Sequence, residues 1–153
     1  MNMSGLIPGF NVDGVVTINR VILKPEYSVD DLQERVAYLC ENVKTYHSDT
    51  GFVGGFVALN SGAVSNEGST VGQAVDSPLA GKEALIVTFW QSFDDHEKSH
   101  QSETFQPLFK QVLELCENGN EEIAYSMLWS GKAYSAEEAA EARAVKEKYS
   151  KAA

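Results

Sequence analysis

The chain has 153 residues, 43 % hydrophobic and 10 % aromatic, which suits one packed domain and argues against disorder. Its 22 acidic residues outnumber 12 basic ones, and the net charge of −10 repels phosphate backbones and anionic lipid, so neither nucleic acid nor a membrane is an expected partner. No apolar run reaches membrane-span length and the N-terminus lacks a basic and apolar leader pattern, so the expected location is cytoplasmic.

Residues 1–13 are rich in Gly, Pro and Asn and read as an N-terminal arm. The β-branched run Gly14–Leu23 predicts a strand, closed by Pro25, since proline cannot continue a central strand. On it Asn19 shares a face with Thr17 and Val21, while Arg20 points the other way, toward a carboxylate partner. Ser28 predicts a helix N-cap, with Asp30 and Asp31 in the first turn, where the helix dipole favours them. Leu32, Val36, Leu39 and Val43 then recur at helical spacing, and Tyr38, Tyr46 and His47 read as surface residues on or beyond that helix.

Phe52–Leu59 predicts a second strand, and the Gly54-Gly55 pair within it suggests a bulge or the close approach of another backbone or a ligand. Residues 60–81 are polar and Gly/Ser-rich and read as a long loop. Lys82–Trp90 is the third strand. Ser92 caps a short helix, with Asp95 three residues on. A further helical piece starts near Ser102 or Thr104, with Pro107 in its first turn and Phe105, Leu108, Val112 and Leu115 as its buried stripe. Glu122–Trp129 is the fourth strand, with Ile123, Tyr125, Met127 and Trp129 alternating onto one face. Ser135 and Glu138 form a capping box for a final helix, Ala136–Tyr149, that has little apolar face. Cys40 and Cys116 both fall on apolar helical stripes and read as reduced core thiols.

The order β-α-β-β-α-β defines a ferredoxin-like α+β fold with an antiparallel sheet. It spans a domain at 14–132, followed by a helical tail at 133–153. Two helices cover one face of the sheet. The other face is too apolar to stay wet and the tail is too polar to cover it, so a homodimer is expected, its two sheets closing into one barrel.

The stretch from Thr88 to His100 carries the chemistry. His96-Glu97-Lys98-Ser99-His100 matches the H-E-x-x-H pattern of zinc peptidases, with Glu117, Glu121 or Glu122 as a third ligand. Its setting is a short capped turn among Asp94, Asp95, Lys98, Gln101 and Ser102, whereas such peptidases place the motif in a long buried helix. His96 is therefore expected at the solvent or a pocket rim and Glu97 in solvent. No metal is assigned, and a zinc hydrolase stands as the lesser alternative. Gly68–Gly72 lacks the lysine and spacing of a phosphate loop, and no Ser-His-Asp arrangement is evident.

Three segments together resemble one family. Thr17–Pro25 is similar to its first strand, Gly51-Phe52 to the opening of its second, and Leu85–His96 with Ser99, His100 and Phe105 to its strand-Trp-x-Ser-x-x-x-His pattern. The chain thus resembles, over Val15–Trp129, the antibiotic biosynthesis monooxygenase family of the dimeric α+β barrel superfamily. The resemblance implies a monooxygenase without cofactor, acting on a small aromatic or enolisable substrate in the barrel pocket. Asn19 would position a carbonyl, Trp90 would stack, and His96 or His100 would shuttle a proton. Phe56, Tyr125 and Trp129 would contact the ligand. In haem-degrading members a strand-1 Asn resembles Asn19, but their proximal histidine falls here near Phe109, which cannot ligate iron. The alternative is a dimeric barrel that binds a ligand, or serves in assembly, without catalysis.

Overall fold

The computed structural model describes residues 14–65, 74–76, 78–119, 121–128, 131 and 133–152. In chain order the elements are β1 (Val15–Ile22), α1 (Val29–His47), β2 (Phe52–Leu59), β3 (Ala63–Ser65), β4 (Ala74–Asp76), β5 (Glu83–Trp90), α2 (Phe93–His100), α3 (Phe105–Leu113), β6 (Glu121–Ser126) and α4 (Ala136–Ala152). The main sheet runs β2-β5-β1-β6, with every neighbouring pair antiparallel. With the β3-β4 ladder set aside as an insertion, this is the ferredoxin-like order expected from the sequence.

Strand alternation sorts the side chains into two faces. Thr17, Asn19 and Val21 of β1 are buried beneath the helices, paired in register with Thr88, Ile86 and Ala84 of β5. Leu32, Val36, Leu39 and Val43 of α1 and Phe105 and Val112 of α3 pack down on that face. Burying each such side chain contributes about 1.5–3 kcal/mol, which holds the helices on the sheet. Ser28 caps α1 in a reciprocal capping box with Asp31.

One glycine fixes the corner next to α2 and another the approach of β2 to β5. Gly51 has φ +102°, and a Cβ there would stand 2.5 Å from the Asp95 carboxyl carbon. Its carbonyl accepts from the Gln91 amide at 2.8 Å, tying the start of β2 to the end of β5. A Cβ on Gly55 would lie 2.5 Å from the Val87 carbonyl oxygen, and the register shifts between Phe52 and Gly54. The paired glycines thus mark both a bulge and a close approach of β5.

The opposite face carries Ile123 at 57 % exposure and Tyr125 at 48 % on the edge strand β6, and Phe56, also exposed, on the other edge strand β2. Arg20 lies on this face between Glu83 (2.5 Å) and Glu121 (3.1 Å). No residue of α4 is buried. Among the described residues no helix is long and apolar enough to cross a membrane.

Several sequence expectations need correction. The loop at 60–81 contains the paired strands β3 and β4. Strand β6 ends at Ser126, although the Met127 amide still donates to the Gly14 carbonyl at 3.0 Å. Leu115 and Cys116 lie past α3, and Cys116 forms an isolated bridge with Leu23, so it is not helical. Both cysteines are free thiols. His47 is buried at 9 % exposure because the end of α1 tucks it toward Trp90, ring centroids 6.4 Å apart. The arm at 1–13 and Trp129 lie outside the described residues.

Candidate functional site

Helix α2 is short, and its cap aims it. The Ser92 hydroxyl bonds the Asp95 carboxylate at 2.7 Å and accepts from the Asp95 amide at 3.1 Å. Residues four apart then share a face, so His96 and His100 both turn toward the sheet. Their rings lie 4.4 Å apart between centroids. His96 is only 2 % exposed, packed between the edge of Trp90 (5.5 Å) and the face of Phe93 (5.8 Å). His100 stacks on Phe105 at 4.8 Å and leans on Phe109 at 5.6 Å.

The expected position of His96, at a rim or in solvent, is therefore wrong. Asp94 and Glu97 are exposed, whereas Trp90 at the end of β5 and Phe93 at the start of α2 fold onto the His96 ring.

Strand β6 supplies Glu122 opposite Asn19 in register. Glu122 Oε1 lies 3.1 Å from His96 Nε2 and 3.8 Å from His100 Nε2. The other nitrogen of His96, Nδ1, lies 3.2 Å from Glu97 Oε1. Asn19 hydrogen-bonds the Glu122 carboxylate. Burial pushes the Glu122 carboxyl up, but the hydrogen bond and charge of His96, the charge of His100 and the Asn19 bond outweigh it and hold it below its ordinary value. Burial first, then the charge of His96, pushes His100 down, against the opposing pull of Glu122 and Glu97. His100 is therefore biased toward the neutral ring, which can accept a proton.

Trp90 donates its indole N–H to the Thr88 hydroxyl at 2.7 Å, and Thr88 bonds the Thr17 hydroxyl at 2.6 Å. With its edge contact to Phe52 at 5.3 Å, this locks the indole in place. Trp90, His96, His100, Asn19 and Glu122 all line a cavity of about 760 Å³ between α1, the sheet and the α2-α3 pair. Lys44 and Ser48, both exposed, belong to its outer wall.

Four expected site residues, Asn19, Trp90, His96 and His100, thus converge. Phe56 borders the cavity, but its ring lies against Phe89 at 6.3 Å, on the sheet face away from the helices. Tyr125 shares that far face with Ile123 and is not brought to the cluster. Glu122 was foreseen only as one of three possible metal ligands, and its role as hub of the cluster was missed. The signal lay in its phase: in a strand whose Ile123 and Tyr125 face one way, Glu122 must face the helices. Phe109, noted only as unable to ligate iron, turns out to buttress His100.

No family model and no curated protein matches the chain. Solved structures do match. SnoaB, a cofactor-independent oxygenase from Streptomyces nogalater, superposes with a TM-score of 0.57 at 12 % identity over 79 % of this chain and 99 % of that one. A Nitrosomonas europaea protein described as a candidate antibiotic biosynthesis monooxygenase gives 0.57 at 11 % identity, covering 80 % and 98 %. A conserved protein from Methanosarcina mazei Go1 gives 0.55 at 13 % identity, covering 74 % and 92 %. These likenesses establish an antibiotic-biosynthesis-monooxygenase-like fold.

Proposed function

We propose that the protein is a monooxygenase that needs no cofactor for turnover and acts on a small, flat, enolisable or phenolic substrate in the cavity beside Trp90. The observation that carries this reading is the cluster of His96, His100, Glu122 and Asn19 on the wall of an otherwise largely apolar, aromatic-lined cavity. Such a pocket binds an apolar substrate and places a proton acceptor against it. His100 takes a proton from the substrate carbon, and Glu122 and His96 share the resulting positive charge. The carbanion adds dioxygen to form a peroxide, and loss of water leaves a carbonyl. One oxygen atom enters the product and the other leaves in water, so no external reductant is consumed. Asn19 orients Glu122 and offers its amide to the substrate oxygen. Trp90 stacks on the ring.

The working unit in this reading is a homodimer, because Ile123, Tyr125 and Phe56 form an exposed apolar sheet face that a second copy would cover. The test is dioxygen uptake by chelator-treated protein over a panel of hydroxylated aromatics and cyclic diketones. Uptake that fails in His100→Ala and falls at least tenfold in Asn19→Ala supports the reading. No uptake with any member of the panel, or equal uptake by the variants, ends it.

A further inference from the structure

We infer that His96 Nε2, His100 Nε2 and a Glu122 carboxylate oxygen form a binding site for one divalent first-row transition ion of the zinc class. The three donor atoms come from α2 and β6 and lie within 4.8 Å of one another. Tetrahedral bonds of about 2.0–2.1 Å put such donors roughly 3.3 Å apart. The present contacts from Glu122, 3.1 Å and 3.8 Å, already bracket that spacing, so small side-chain shifts complete the geometry.

Three features make this a built site. A carboxylate oxygen only accepts, and Glu97 Oε1 sits at His96 Nδ1 while Glu122 Oε1 sits at Nε2. With a cation in place of the Nε2 proton, Nδ1 keeps its proton for Glu97 while the Nε2 lone pair and Glu122 both face the ion. A carboxylate behind the far nitrogen is also the usual outer partner of a ligating histidine. Secondly, Trp90, Phe93, Phe105 and Phe109 hold both rings by packing, so little ordering remains to oppose binding. Thirdly, all three ligands line the cavity, which leaves a fourth position open to a water or a small molecule. Two imidazoles and one carboxylate suit zinc, cobalt, nickel or ferrous iron, and not calcium or magnesium. The site is not that of a zinc peptidase. Its helix has eight residues, and Glu97 lies behind His96, away from the open position.

The inference goes beyond the proton-transfer reading, for the ion takes the place of the proton between His96 and Glu122. Metal-stripped full-length protein is titrated with Co²⁺, followed by visible absorption, and with Zn²⁺ by calorimetry. One ion per chain is expected, with the intense bands of four- or five-coordinate cobalt. His100→Ala and Glu122→Gln, shown folded by far-UV circular dichroism, each lose those bands. Glu97→Gln binds about 10–100-fold more weakly. As a check independent of variants, Zn²⁺ shifts the ring resonances of His96 and His100 and leaves those of His47 unmoved. The pale spectrum of hexa-aqua cobalt, affinity unchanged in His100→Ala and Glu122→Gln, or unmoved His96 and His100 resonances would overturn the site. Dioxygen uptake by the stripped protein is a separate measurement, so either reading can fail alone.

Discussion

His96 on α2 and Glu122 on the edge strand β6 meet at 3.1 Å, Nε2 to Oε1, and this contact ties α2 to the edge of the sheet. Glu122→Gln keeps the shape and an acceptor oxygen but removes the charge. Hydrogen bonds to charged groups contribute about 1.5–3 kcal/mol, so the variant should lose stability in that range in a urea melt at neutral pH. It should also lose most turnover. A variant as stable as the parent would show that the contact is not formed in solution.

Gly51→Ala should destabilise the fold by about 1–3 kcal/mol, because a non-glycine residue is strained at φ +102° and its Cβ collides with Asp95. The damage should reach the site, since Asp95 holds the Ser92 cap of the helix that carries His96. Gly51→Asn, which tolerates positive φ better but still meets Asp95, separates the two causes. If the collision dominates, Asn recovers little of the loss in a thermal melt.

Burial pushes the His47 imidazole below its ordinary value of 6.5, with Asp49 offsetting part of the effect. Its Nδ1 has only a long 3.4 Å contact to Thr50, and Nε2 is buried with no hydrogen-bond partner. As pH falls below 6.5 the unfolded chain takes up this proton before the native protein does, so the native state loses stability toward acid. His47→Leu should therefore melt within about 1 kcal/mol of the parent above pH 7 and show a shallower loss of stability below pH 6. An unchanged acid slope would mean that His47 does not carry this dependence.

Ile123→Lys on the open face should convert a dimer to monomer in sedimentation equilibrium without changing far-UV circular dichroism, since Ile123 is 57 % exposed within one chain. Tyr125→Glu should do the same. A parent chain that is already monomeric would show that something other than a second copy covers the face.

The elements were legible because their signals are local. The β-branched period of β1, the Ser28 and Ser92 caps and the Gly54-Gly55 interruption each act within a few residues. So did the alternation that puts Asn19 with Thr17 and Val21, and Arg20 beside its carboxylates. The environment of His96 was not legible. Its immediate sequence neighbours are charged, while the turn between β5 and α2 folds Trp90 and Phe93 onto its ring and its partner Glu122 arrives from β6.

Sequence alone decided the order of the four main-sheet strands and the helices, though not the β3-β4 ladder, and with it a sheet having one face under helices, because hydrophobic period and capping are properties of short segments. Only the tertiary structure decided that two histidines, a glutamate and an asparagine share a cavity, that the Phe56 ring at its border packs on Phe89, and that Tyr125 lies away from it. Register and helix placement set those distances, and they follow from how all the buried side chains fit together at once.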